Sequence, residues 1–112
     1  MTTALIAKTD FVISTQSNTE INKTIGTFLA NFMSNETKKA YVSDWKEFFE
    51  FLEKSKIEVS GLNEIEERHL SMYRDFLREK FSATSINRKL SALSSLFSTL
   101  RNKQLVKSNP VS

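Results

Sequence analysis

Apolar side chains recur along most of the chain at the spacing of amphipathic helices. The clearest stretch runs from about residue 35 to residue 54, and its apolar stripe consists of Tyr41, Trp45, Phe48, Phe49 and Leu52. Because an α-helix repeats about every 3.6 residues, these side chains share one face and the charged residues lie opposite. Ser34 or Asn35 provides the N-cap. This segment is predicted to be the second of four helices.

The same periodicity predicts further helices at about residues 19–33, 66–80 and 83–102. Asn18 is the expected N-cap of the first, and Ser82 or Thr84 that of the fourth. The connector between the second and third helices is expected to pack on the core through Ile57, Val59, Leu62 and Ile65. The inward-facing side chains of the three helices are expected to be Ile21, Ile25, Phe28, Leu29, Phe32, Leu70, Tyr73, Phe76, Leu77, Ile86, Leu90, Leu93, Phe97 and Leu100. The pattern therefore predicts an all-α protein, a compact bundle of four to five helices.

Composition narrows the function classes. Two glycines and one proline in 112 residues are too few turn residues for an all-β sandwich or barrel. The absence of cysteine excludes disulfides, thiol catalysis and thiolate metal sites, and the single histidine, His69, leaves little to bind zinc. We expect His69 at the surface or its boundary, and neither a metal nor another cofactor. No apolar run approaches the ~18 residues of a membrane span, and no secretory signal is evident, so the expected location is the cytoplasm.

Charge is distributed unevenly along the chain. The net charge is only +3, but residues 47–67 carry −5 and residues 68–112 carry +7. No aspartate or glutamate occurs in residues 83–112. A concentrated basic segment is typical of a protein that binds a polyanion, although solvated helix surfaces are often charged as well.

The carboxylate-free side of the fourth helix is the strongest candidate for a binding surface. A helix that enters a DNA groove needs cations for phosphates, small polar side chains for close approach, and no carboxylates. Arg88 is the best candidate for a base contact, because its guanidinium can match guanine. The fourth helix meets these requirements with Thr84, Ser85, Asn87, Arg88, Lys89, Ser91 and Ser95, and the second helix meets them less fully with Lys38, Lys39, Ser43 and Lys46.

Enzyme motifs are scarce. There is no glycine-rich phosphate loop, no histidine pair at helical spacing and no nucleophile elbow. The glutamates of residues 47–67 are interpreted as a solvated face, and Tyr41 and Tyr73 as core aromatics. The fourth helix makes a DNA-binding module one interpretation of the sequence, and a Ser/Thr-rich face that is simply solvated stays open beside it. A helical domain that contacts an acidic protein partner stays open as the alternative, whereas nothing points to a small-molecule substrate.

Three stretches resemble one known family, the tyrosine recombinases or phage-type integrases. The opening helix of their N-terminal, SAM-like core-binding domain is similar to Thr37-x-x-x-Tyr41-x-x-Asp44-Trp45-x-x-Phe48-x-x-Phe51-Leu52. Their last core-binding helix is similar to Thr84-x-Ile86-Asn87-Arg88-Lys89-Leu90-Ser91-Ala92-Leu93-x-x-Leu96-Phe97-x-x-Leu100. The strap toward their catalytic domain resembles Asn109-Pro110-Val111. The resemblance covers about residues 19–112.

The resemblance implies a SAM-like bundle that binds one face of double-stranded DNA through its second and fourth helices. The implied contacts are Thr37, Lys38, Lys39, Ser43, Lys46, Ser85, Asn87, Arg88, Lys89 and Ser95. It also implies that other recombinase protomers are partners of the full-length protein in a synaptic complex, with residues of about 19–33 packing against a neighbour. We expect a tail at residues 1–17, the DNA-binding domain at residues 18–107, and the start of a linker at residues 108–112.

No catalytic role is implied for this chain. The catalytic Arg, His-x-x-Arg and nucleophilic Tyr of the family belong to a C-terminal domain, which we expect to be absent here. The chain departs from the family at Ser94, where Arg or Lys is common, and near Lys103 and Gln104, where Gly is common. These departures put one phosphate contact and the exit of the last helix in doubt.

Overall fold

A computed structural model describes residues 19–32, 34–59 and 61–111. Within them the elements are α1 (Thr19–Phe32), α2 (Asn35–Lys54), a 3-10 turn (Leu62–Glu64), α3 (Glu67–Arg78) and α4 (Ala83–Asn102). These confirm the all-α fold and the four predicted helices, although α3 is shorter at both ends than expected. The expected cap Asn18 and the tail at residues 1–17 lie outside the described residues. Among the described helices there is no candidate for a membrane-spanning segment.

Serine side chains start α2 and α4 in the same way. The backbone N–H of Thr37 donates to Ser34 Oγ at 3.2 Å, and that of Ser85 donates to Ser82 Oγ at 3.3 Å. Each bond satisfies one of the N–H groups that a helix leaves unpaired in its first turn. Of the two caps considered for each helix, Ser34 and Ser82 are therefore the ones used.

The two long helices also end alike. Lys56 and Gln104, each directly after a C-cap residue, have φ of 59° and 61°. The next N–H bonds back across the turn, from Ile57 to the Leu52 carbonyl and from Leu105 to the Leu100 carbonyl, at 2.9 Å in both cases. This is the Schellman arrangement, which usually employs glycine because the left-handed region disfavours side chains. The absence of the family's glycine near Gln104 thus leaves the helix exit in place.

The core lies around α4, which packs against α1, α2 and α3. Trp45 is fully buried, and its indole Nε1–H donates to the Ala92 carbonyl at 2.8 Å, which joins α2 to α4. In the connector Leu62 and Ile65 are buried, whereas Ile57 and Val59 are only half-buried. Among the expected inward-facing side chains that the structure describes, Phe76 is predicted wrongly, since it is 36% exposed. Its ring packs beside Phe51, with centroids 5.0 Å apart, at the edge of the core rather than inside it. The side chain of Phe32 lies outside the described part of the chain.

The C-terminal segment is tied back onto α4. Asn109 is buried, and its Nδ2 donates to the Ser94 carbonyl and to the hydroxyls of Ser94 and Ser98, at 2.9 to 3.2 Å. The N–H of Val111 donates to Asn109 Oδ1 at 3.0 Å. Ser94, where the family often carries a cation, therefore anchors the Asn-Pro strap in this chain.

Candidate nucleic-acid interface

The first half of α4 presents an exposed polar surface. Thr84, Asn87, Arg88 and Ser91 are exposed, while Ser85 and Ser95 are half-buried. Ser85 also has its backbone N–H in the cap, and its hydroxyl accepts from Ser82 Oγ at 3.3 Å. The part of this surface with the most freedom to meet a ligand is thus centred on Arg88.

Arg88 is held by a carboxylate of α2. Its Nη1 lies 2.6 Å from Asp44 Oδ2, and the Arg88 side chain is 55% exposed whereas that of Asp44 is only 5% exposed. The short charge-assisted hydrogen bond joins the two helices and fixes the guanidinium at their boundary. The α4 surface contains no acidic residue of its own, but Arg88, its principal cation, is paired with Asp44 of α2 in the folded chain.

Lys89 does not lie on the exposed surface, and the expectation that it does is wrong. Its side chain is 9% exposed, and its Nζ lies 2.6 Å from Glu47 Oε1, 3.5 Å from Asp44 Oδ1 and 4.7 Å from the centre of the Phe81 ring. A lysine 100° further round the helix than Arg88 turns toward the core, where only carboxylate partners can offset its desolvation.

The same cluster reaches α3 through Tyr73. The Tyr73 hydroxyl donates to Glu47 Oε1 at 3.4 Å, a long hydrogen bond. Burial raises the pKa of Tyr73 well above its usual value, and the negative charges of Glu47 and Asp44 raise the pKa further. Tyr73 therefore stays protonated and is a core residue, as expected. Glu47 belongs to this half-buried cluster and not to a solvated face.

The expected contacts on α2 fall into two groups. Thr37, Lys39 and Ser43 are exposed, whereas Lys38 and Lys46 are half-buried. Thr37 is engaged in the cap, since its hydroxyl accepts from Ser34 Oγ at 3.0 Å. The helical period places Lys39, Ser43 and Lys46 on the side of α2 opposite the core stripe.

Sequence reasoning missed the acids of α2 as parts of the site. Asp44 and Glu47 are three residues apart and flank the apolar stripe, a spacing that brings both to one side of the helix. That position beside the core was the available signal.

A shallow cavity of about 230 Å³ was also missed; it lies at the junction of α3 and α4 and is lined by Arg74, Arg78, Phe81, Ala83, Ile86 and Asn87.

His69 is buried, contrary to the expectation of a surface or boundary position. Its Nδ1 accepts the Glu66 backbone N–H at 3.0 Å, which closes the first turn of α3. Burial lowers the pKa of His69, and the positive charge of Arg68 lowers it further. In the described part of the chain no group of three or more His, Cys, Asp or Glu residues is arranged to hold a metal.

Comparisons with known proteins agree with this architecture. A family model described as phage integrase, N-terminal SAM-like domain, matches residues 27–104. Two tyrosine recombinases named XerC, from the serovars copenhageni and Lai of Leptospira interrogans, are each 34% identical to the chain over 100 residues. The alignment covers 84% of this chain and 32% of each relative, so the chain spans about a third of their length. No solved structure gives a significant match. The chain belongs to the phage integrase N-terminal SAM-like domain family.

Proposed function

We propose that this chain is the DNA-binding module of a site-specific tyrosine recombinase and that it contacts duplex DNA through α2 and α4. The observation that carries the proposal is the exposed surface of α4 around Arg88, which bears a cation, small polar side chains and no carboxylate of its own helix. Such a surface suits close approach to a polyanion, because no acid of α4 repels the phosphates.

The chain positions DNA and does not cut it. We assign cleavage and rejoining to a separate C-terminal catalytic domain, as the family resemblance implies; in support, the chain aligns with only 32% of each relative. The partners of the full-length protein are double-stranded DNA and further recombinase protomers. Residues of about 19–33 are the proposed contact with a neighbouring protomer. The contact would use the side of α1 that does not pack on α4.

Contacts are assigned by exposure. Arg88, Thr84 and Asn87 on α4, with Lys39 and Ser43 on α2, are proposed to meet DNA directly. Thr37 and Ser85 are proposed to contact phosphates, because they lie in the first turns of α2 and α4, and the N-terminus of a helix favours phosphate oxygens. Lys38, Lys46 and Ser95 are half-buried and are proposed as secondary contacts. We propose that Lys89 affects DNA binding only indirectly, from its buried position, because its ammonium group is paired with the carboxylates of Glu47 and Asp44.

A fluorescence anisotropy titration with a labelled duplex of random sequence tests the proposal. We expect binding that weakens steeply between about 50 and 200 mM salt, because phosphate contacts release counterions. Arg88→Ala should weaken binding roughly fivefold or more, whereas Lys54→Ala, at the exposed end of α2, should change it less than about twofold. Equal losses in the two variants would remove α4 from the interface. No binding at the lower salt concentration would favour the alternative, a helical domain for an acidic protein partner.

A further inference from the structure

Asp44 is a buried acid beside the exposed α4 surface that is centred on Arg88. Only 5% of its side chain is exposed, yet each of its carboxylate oxygens faces a different cation: Oδ2 faces Arg88 and Oδ1 faces Lys89. Because its side chain is almost inaccessible, Asp44 cannot touch a ligand of any size. Any effect of Asp44 on binding is therefore indirect, and Arg88 is its one exposed partner, since Lys89 is buried.

The geometry restrains Arg88 without occupying it. A guanidinium carries five N–H donors in a rigid plane, and one of them is directed at Asp44 at 2.6 Å. More than half of the Arg88 side chain remains exposed, so donors are left for a ligand. Arg88 thus meets its ligand already ordered, and less rotamer freedom is lost when the ligand binds.

The carboxylate also changes which part of DNA Arg88 prefers. Attraction to phosphates depends on net charge and is the same for every sequence, and Asp44 offsets part of the positive charge of Arg88. Hydrogen bonds to the O6 and N7 atoms of guanine depend instead on a correctly placed pair of donors. Fixing the guanidinium while reducing its charge therefore favours base recognition over phosphate contact.

We propose that Asp44 is a positioning residue for sequence recognition, which holds Arg88 so that Arg88 discriminates a G·C base pair in the major groove. The proposal rests on the proposed function, since it requires that α4 bind duplex DNA. It assigns sequence preference to a residue on α2 that makes no contact with DNA.

Selection from a pool of randomised duplexes, followed by anisotropy titrations of one selected duplex and one random duplex, tests the proposal. The 112-residue chain is compared with Asp44→Asn and Arg88→Lys. The matched control is Asp75→Asn, which alters an exposed aspartate paired with an arginine at 2.8 Å. Circular dichroism melts set the titration temperature at which every variant is folded.

The wild-type chain is expected to select a guanine at one position and to prefer that duplex over the random one. Arg88→Lys keeps the charge but has no fork, so the preference should fall roughly tenfold while affinity for random duplex is retained. Asp44→Asn should lower the preference several-fold, raise the affinity for random duplex and steepen its salt dependence, because the charge of Arg88 is no longer offset. Asp75→Asn should change none of these.

Other results overturn the proposal. If the wild-type chain binds DNA but Asp44→Asn weakens the selected and random duplexes equally, or leaves the preference intact, Asp44 only supports the fold. If Arg88→Lys keeps the guanine preference, Arg88 is a phosphate contact. In both cases the proposed DNA binding survives. If no duplex binds the wild-type chain, the proposed function fails and this inference fails with it.

Discussion

Two sets of ion pairs in this molecule have similar lengths and different consequences. Between α2 and α4, Asp44 and Glu47 meet Arg88 and Lys89 with closest distances of 2.6 Å. Around α3, Arg68 meets Glu66 at 2.7 Å and Arg78 meets Asp75 at 2.8 Å. The Asp44 side chain is 5% exposed and that of Asp75 is 72% exposed. Distance alone therefore does not rank these interactions.

The environment and the reach along the chain decide what each pair does. The α3 pairs join residues two or three positions apart, in water, where the ion pair adds little to stability. The α2–α4 pairs join residues more than 40 positions apart, and they lie beside the core. Loss of one partner there leaves a desolvated charge uncompensated, so this cluster sets the relative placement of two helices.

The sharpest test of the comparison is to truncate one aspartate in each set. Asp44→Ala should lower the free energy of unfolding by about 2–3 kcal/mol, because Lys89 and Arg88 lose a buried partner, although Lys89 keeps Glu47. Asp75→Ala should lower it by less than about 0.5 kcal/mol. Urea denaturation followed by circular dichroism measures both. Similar losses in the two variants would mean that burial does not distinguish the sets.

A neutral group extends the comparison to hydrogen bonds without charge. Asn109→Ala should lower the free energy of unfolding by about 1–2 kcal/mol, because the bonds to Ser94 and Ser98 are lost and half-buried acceptors are left without a partner. The exposed Asn102, at the end of α4, is the matched control, and Asn102→Ala should stay within about 0.5 kcal/mol of wild type. An equal effect of the two variants would show that the C-terminal segment is not held through Asn109.

The smallest expected effect concerns His69, which is buried next to the exposed Arg68–Glu66 pair. Its pKa is lowered in the folded chain, so the unfolded chain binds more protons as the pH falls below 6.5, and stability decreases. The pKa of Glu66 is also lowered, mainly by the hydrogen bond from Arg68, but that acts only as the pH falls toward 4.5 and below. Between these two pH values the free energy of unfolding should decrease by on the order of 1 kcal/mol or less.

His69→Gln isolates this contribution, because its amide oxygen can still accept the Glu66 N–H but does not titrate in this range. Urea denaturation at pH 7 and at about pH 5.5 should show a smaller decrease in stability for this variant than for wild type. The same decrease in both would place the pH dependence elsewhere in the molecule.

Local patterns predicted the elements well. The starts and ends of α2 and α4 follow from Ser34, Ser82 and the apolar period, since caps and helical faces involve residues only three or four positions apart. The errors occur at the margins of apolar stripes. Phe76 and Lys89 both lie near such a margin. Whether each side chain is buried depends on the helix that packs beside it and not on the helix that carries it.

The candidate site shows the same limit. The sequence indicated Arg88 and the polar residues around it, because their number, spacing and lack of acids can be read along one helix. It did not indicate Asp44 or Glu47, because pairs more than 40 residues apart exist only once α2 has packed on α4.

The sequence by itself determined four amphipathic helices, the N-cap candidates of α2 and α4, and the motifs of the phage integrase N-terminal domain, all of which depend on short-range spacing. Only the tertiary structure decided that adjacent cations on α4 have opposite surroundings, with Arg88 exposed and Lys89 buried. The physical reason is that the free-energy cost of removing a charged side chain from water depends on its surroundings, and residues distant in the chain form those surroundings.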